Sequence, residues 1–162
     1  MQIKFTIRRL RKTAVILTAL FFSFLSNAQY PDANGIVYVI PGATGNGTSW
    51  VMATGNLQAA IDAAGATKVF VAVGNYPSPS NGFVMKNNVA VYGGFNPSAG
   101  ITDLTHNRIL PTATVGGSVL NGENARRVVN NYNGTDLNNT AILDGFTITG
   151  GSAAVNSGGG IS

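Results

Sequence analysis

The sequence predicts an all-β fold, a right-handed parallel β-helix or solenoid with one N-terminal α-helix as its cap. Three observations predict it. Beyond residue 28 the chain holds 21 Gly and 17 Asn with few charges, the composition of a turn-rich β protein. Short apolar segments that each end one residue before a glycine recur at intervals too long for hairpins. A single amphipathic helical pattern stands near the start, where a stack of strands would need a cover.

The first 28 residues have a chemistry of their own. Lys4, Arg8, Arg9, Arg11 and Lys12 form a cationic start, Thr13 to Leu25 is an almost unbroken apolar run, and Ser26-Asn27-Ala28 places small residues before a cut. These are the three parts of a secretory signal peptide. The alternative is an uncleaved membrane anchor, but 13 residues rise only about 20 Å as a helix against a hydrocarbon core of roughly 30 Å. The expectation is export through the Sec pathway with cleavage after Ala28, and no membrane-spanning segment afterwards.

Cleavage changes the charge. The whole chain is +4, but five of its ten basic residues lie in the leader and all six acidic residues lie beyond it, which leaves −1. Basicity that is discarded on export argues against a nucleic-acid partner. There is no cysteine, so an exported domain of this kind must hold by packing and backbone hydrogen bonds alone. So much Gly and Asn would also suit a disordered chain, but disorder should lack the regular β-branched and aromatic runs seen here.

Ile36 to Ile40 is the first predicted strand, closed by Pro41-Gly42 and a polar loop to Ser49. Leu57, Ala60, Ile61 and Ala64 recur at helical spacing, with Asn56 to cap the start and Gly65 to close the end. Val69 to Val73 is apolar at every position, as expected of a strand buried on both sides or lying near an end cap. A loop from Gly74 to Gly82 follows, and the chain resumes an extended course at Phe83 to Met85.

A loose repeat then appears in Val89 to Gly93, Ser118 to Gly122 and Ala141 to Gly145. The three glycines are 29 and 23 residues apart, which suits turns of a three-sided coil with an inserted loop at Asn96 to Pro111. Each glycine would accept positive φ at a corner. Asn-Gly and Asp-Gly are also hairpin signals, so an antiparallel sandwich is the rival, with a usual spacing of about 8 to 12 residues against it. Phe146 to Thr149 alternates into Gly150-Gly151, and Gly158-Gly159-Gly160-Ile161 reads as one more corner of a stack cut off after its first few coils. The expected divisions are the leader at 1–28, the first strand and cap helix at 29–68, and the first coils at 69–162.

The cap helix, the Val69 to Gly74 strand, Val91-Tyr92-Gly93-Gly94-Phe95 and Ile142 to Gly151 together resemble the opening of secreted bacterial pectate-lyase-like β-helix proteins. The Gly158-Gly159-Gly160-Ile161 segment resembles the short repeats of chlamydial polymorphic outer-membrane proteins, which are surface adhesins. The likeness covers most of the chain after residue 28. It implies a piece of a longer protein, from which a secretion or anchoring domain is missing.

Such lyases use clustered acidic Ca²⁺ ligands with an Arg or Lys base, and this chain shows no such cluster. The densest ionisable group is Asp103, His106 and Arg108, which could in principle do acid-base work, although turn-capping suits a polar loop better. Asp144 and Glu123 could form a glycosidase pair if the fold stacked them. Arg126-Arg127 reads as a solvated basic face, and Asn46-Gly47-Thr48 and Asn133-Gly134-Thr135 match the N-glycosylation pattern. Trp50, Tyr76, Tyr92 and Phe95 could stack on sugar rings or simply fill the core.

The resulting expectation is a secreted or cell-surface scaffold for adhesion or carbohydrate binding. It would take a polysaccharide or a cell-surface glycan, with no catalytic residue, no metal and no cofactor. The alternative is the leading segment of a polysaccharide lyase or glycoside hydrolase.

Overall fold

A computed structural model of the protein describes residues 30–112, 117–131, 136–153 and 158–161. The expected leader at 1–28 lies outside them. In these residues the order is β1 (Ile36–Val39), α1 (Leu57–Asp62), β2 (Lys68–Ala72), β3 (Gly74–Pro77), β4 (Ala90–Phe95), β5 (Ser118–Arg126), β6 (Ile142–Asp144) and β7 (Phe146–Gly151).

The entry into β1 is set by Asp32. Its carboxylate accepts the N–H groups of Asn34 and Ile36 at 2.8 and 2.9 Å and the Tyr38 hydroxyl at 3.0 Å, an Asx-type turn that aims the chain into the strand. Alternation then buries Val37 and Val39. At α1, Asn56 is extended and its side-chain oxygen accepts the N–H of Ala59 at 3.0 Å, an N-cap that satisfies one of the orphan donors of the first turn. Leu57, Ala60 and Ile61 turn inward. The helix stops at Asp62, two residues before the apolar period ends, and Gly65 turns the chain at φ +81°.

Every strand pair is parallel. One sheet has the order β1-β2-β4-β6 and the other β3-β5-β7. The rival sandwich of hairpins is thereby excluded: Asn121-Gly122 and Asp144-Gly145 make no antiparallel turn. Single residues, Val73 and Gly145, carry the chain from the first sheet to the second.

The expected class is corrected. The described residues form two parallel sheets of four and three strands with one short helix, an α/β arrangement, instead of an all-β β-helix under a helical cap. Parallel neighbours cannot be joined by a tight turn and need a crossover. Here α1 lies in the crossover from β1 to β2 and packs on both strands, burying its apolar stripe as in a β-α-β unit. A three-sided coil would also need a third sheet, and on that side the described residues make only the isolated bridges Phe83–Val129 and Val129–Ile161. Polar residues such as Asn130 and Asn131 interrupt any longer apolar pattern there.

The glycines of the repeat are corrected too. Gly145 has φ +82° and does turn between sheets, but Gly93 and Gly122 sit inside β4 and β5 without positive φ. What they need is space: a Cβ on Gly93 would lie 2.5 Å from the Gly145 carbonyl, and one on Gly122 would lie 2.5 Å from that of Gly150.

Val37, Val69 and Val91 stand in register on adjacent strands, are fully buried, and lead to Leu143 on β6. Opposite them, Tyr76, Leu120 and Ile148 form a second register line. Leu57 and Ile61 of α1 complete this core. Each fully buried aliphatic side chain contributes roughly 1.5–3 kcal/mol by removal from water.

Candidate functional site

The outward face of the four-stranded sheet carries another register line, Tyr38, Phe70 and Tyr92. Their rings meet edge to face at centroid distances of 5.9 and 6.3 Å, Phe95 stacks on Phe70 at 4.5 Å, and Trp50 meets Tyr38 at 5.0 Å. The Trp50 indole N–H donates to the Thr102 carbonyl at 2.9 Å, tying the loop after β1 to the loop after β4. Phe95 is wholly buried. Trp50, Tyr92 and Phe95 are therefore packing groups, and their ring faces are not a platform for sugars.

The ionisable candidates are also committed. Asp103 accepts the Thr105 N–H at 2.9 Å and its hydroxyl at 2.5 Å, and lies 2.9 Å from His106 Nδ1. Bonds from Thr105 lead in holding its carboxyl below the usual range, opposed by slight desolvation and helped by His106. The arrangement closes an exposed turn. Arg108 stands apart from that pair: it donates to the Gly93 carbonyl at 2.9 Å, pairs with Asp144 at 2.5 Å, and lies over the Tyr92 ring with its guanidinium carbon 5.4 Å from the centroid. Glu123 pairs with Arg126 at 2.6 Å.

The proposed glycosidase pair is not assembled, since Asp144 and Glu123 lie on different sheets and each carboxylate is neutralised by its own arginine. No group of three or more potential metal ligands occurs among the described residues. Of the two glycosylation patterns, Asn46 spends its side-chain oxygen on the Thr48 N–H and hydroxyl at 3.2 and 2.9 Å, and Asn133-Gly134-Thr135 lies outside the described residues.

The arrangement best suited to a ligand is a cleft of about 370 Å³ between the start of α1 and β3. Pro41 and Gly42 form one wall, Asn56 and Gln58 the helix side, Asn75 and Pro77 the strand side, and Tyr76 and Phe83 the base. Gln58 fixes the far rim: its oxygen accepts the Val84 N–H at 2.8 Å and its amide donates to the Val84 carbonyl at 3.1 Å. Tyr76 is nearly buried, and its hydroxyl donates to the Ala72 carbonyl at 2.9 Å. Burial pushes the Tyr76 phenol well above its ordinary range. Asn75 is exposed, and its carboxamide makes no hydrogen bond among the described residues.

The cleft thus offers carboxamides, proline faces and aromatic edges, and no charged side chain. Its only titratable group is a phenol that stays neutral. Such a lining can hold a neutral polyol by hydrogen bonds and apolar contact, but it supplies no group that exchanges protons near neutral pH. Of the aromatic residues singled out from sequence, Tyr76 alone lines it. The carboxamides were missed because Gln58 and Asn75 are brought together only by the β1 to β2 crossover; the cap pattern at Asn56 was the sole local signal.

Compared with known proteins, the chain matches no family model, no curated protein and no solved structure. The resemblance described above therefore rests on the sequence motifs alone.

Proposed function

We propose that this chain is an exported or cell-surface scaffold that binds carbohydrate without turning it over, with a neutral glycan end seated in the cleft between α1 and β3. One observation carries the reading: the cleft between α1 and β3 is lined by carboxamides, prolines and aromatic edges and by no charged group. Its volume is at the small end of the roughly 300–1,000 Å³ typical of small-molecule sites. Export rests on the cationic start and apolar run of residues 1–28. An adhesive role follows where the glycan is fixed to a surface. The lyase or hydrolase reading has no comparable support, because the carboxylates it would use are each paired elsewhere.

Isothermal titration with neutral cello-, xylo- and malto-oligosaccharides tests the proposal. Saturable heat from at least one series, abolished in Asn75→Trp and accompanied by unchanged glycan length in mass spectra, is the expected result. Equal binding by Asn75→Trp, or no binding of any series, refutes the assignment to the cleft; shortened products refute the non-catalytic reading.

A further inference from the structure

A second, smaller cavity of about 230 Å³ lies where the end of β5 meets the loop after β3 and the residues after β7. Its character is opposite to that of the cleft. Arg126, Arg127, Asn81, Asn130, Ser80 and Ser152 line it.

The two arginines differ in their commitments. Arg126 donates to the Ser78 carbonyl at 2.8 Å and pairs with Glu123 at 2.6 Å, so its charge is balanced and its fork is held. Arg127 makes no ion pair among the described residues, and its Nε is buried without a hydrogen-bond partner. A buried donor left unmade is costly, and a charged one more so.

The backbone around this group is anchored. The Ser78 hydroxyl donates to the Arg127 carbonyl at 2.8 Å, the Ser152 N–H donates to the Arg126 carbonyl at 2.9 Å, and the Asn130 amide donates to the Asn81 carbonyl at 2.9 Å. The hydroxyls of Ser80 and Ser152 make no hydrogen bond among the described residues. A guanidinium without a counter-ion beside two such hydroxyls suits an oxyanion, which accepts bonds from all of them and donates none.

We infer that this cavity is an oxyanion site in which the Arg127 guanidinium, with the Ser80 and Ser152 hydroxyls, takes a sulfate or phosphate group. It is independent of the neutral cleft and of the function proposed for it. Asn130 and Asn81 shape the wall, and the charge of Arg126 is already balanced by Glu123.

The test is nuclear magnetic resonance of the arginine Nε–Hε groups during titration with sodium sulfate or sodium phosphate, with sodium chloride exchanged to keep ionic strength constant. The expected result is a saturable shift of the Arg127 signal. Affinity should fall about tenfold or more in Arg127→Gln, the loss that follows from removing a hydrogen bond to a charged group, and be unchanged in Lys86→Gln. Should Arg127→Gln fail to fold, Arg127→Lys keeps the charge without the Nε donor, and weakened binding there supports the same assignment.

Retention on immobilised dextran sulfate but not on dextran distinguishes an esterified glycan from a free ion as the source. The inference is overturned if the Arg127 signal does not move, if its shift does not saturate, or if wild type and Arg127→Gln bind both probes equally.

Discussion

The outward faces of the two sheets differ, although both sheets are parallel. On the four-stranded sheet the outward line is Tyr38, Phe70 and Tyr92, covered by the loops that Trp50 and Thr102 join. On the three-stranded sheet the corresponding line is Asn75, Val119 and Thr147, and Asn75 is open to solvent. One sheet therefore has apolar contacts on both faces, and the other has them on one. The difference assigns stability to the first sheet and leaves the second able to present polar groups, and both candidate sites touch the second sheet or the loops that leave it.

The largest effect should come from the covered face. Phe70→Ala or Phe95→Ala should cost about 3–5 kcal/mol, the range for deleting a buried aromatic ring, measured by urea denaturation. Val119→Ala, at the equivalent outward position of the other sheet, should cost well under half of that. Equal losses at both positions would remove the distinction between the faces.

A smaller loss is expected where the sheets meet. Ser118 is fully buried, its hydroxyl donates to the Ala72 carbonyl at 2.8 Å and accepts the Gly94 N–H at 2.8 Å, so it bonds β5 to both β2 and β4. Ser118→Ala removes the partner of the buried Gly94 N–H, while the Ala72 carbonyl keeps the Tyr76 hydroxyl, and should cost about 1–3 kcal/mol. Ser118→Thr keeps the hydroxyl but adds a methyl in a filled space, so a milder loss there would separate bonding from packing.

The pH dependence reports on the same covered face. Burial, with a bond to Asp32 and the charges of Asp32 and Asp103, pushes the Tyr38 phenol up to about 12. A folded pKa above the unfolded value near 10 means that its contribution is complete below pH 10 and is lost as pH rises from there through 12. Tyr38→Phe should flatten part of that alkaline decline. Asp32 acts at the other end: burial raises its pKa, but the bonds from Ile36, Asn34 and Tyr38 outweigh it and hold the carboxyl below the usual value. Its contribution is present above the unfolded pKa and fades as pH falls through the folded one, so Asp32→Ala should blunt the acid limb. The smallest effect belongs to the exposed sheet, where Asn75→Ala should alter stability by no more than about 0.5 kcal/mol while weakening glycan binding.

Much of the four-stranded sheet was legible because burial on both faces leaves an unbroken apolar run, as at Val69 to Ala72. The helix was legible from its cap and period. β3 was not: in Gly74-Asn75-Tyr76-Pro77 a single residue faces the core, so four positions carry no alternation and their Gly, Asn and Pro read as a loop. The class was misread because near-regular glycines suggested turns of a coil, whereas Gly93 and Gly122 are required by close backbone approach inside strands. The sites were the least legible. Gln58 and Asn75, like Arg127 and Ser152, are distant in sequence and share a cavity only through parallel crossovers.

The most direct measurement is a nuclear magnetic resonance titration of side-chain carboxamides with neutral oligosaccharides, recording protein and sugar signals in the same sample. Saturable shifts at Asn75, Asn56 and Gln58, with no new reducing-end signals from the sugar, are the result expected of a neutral binding cleft. Silent carboxamides, or reducing ends that accumulate with time, would contradict it.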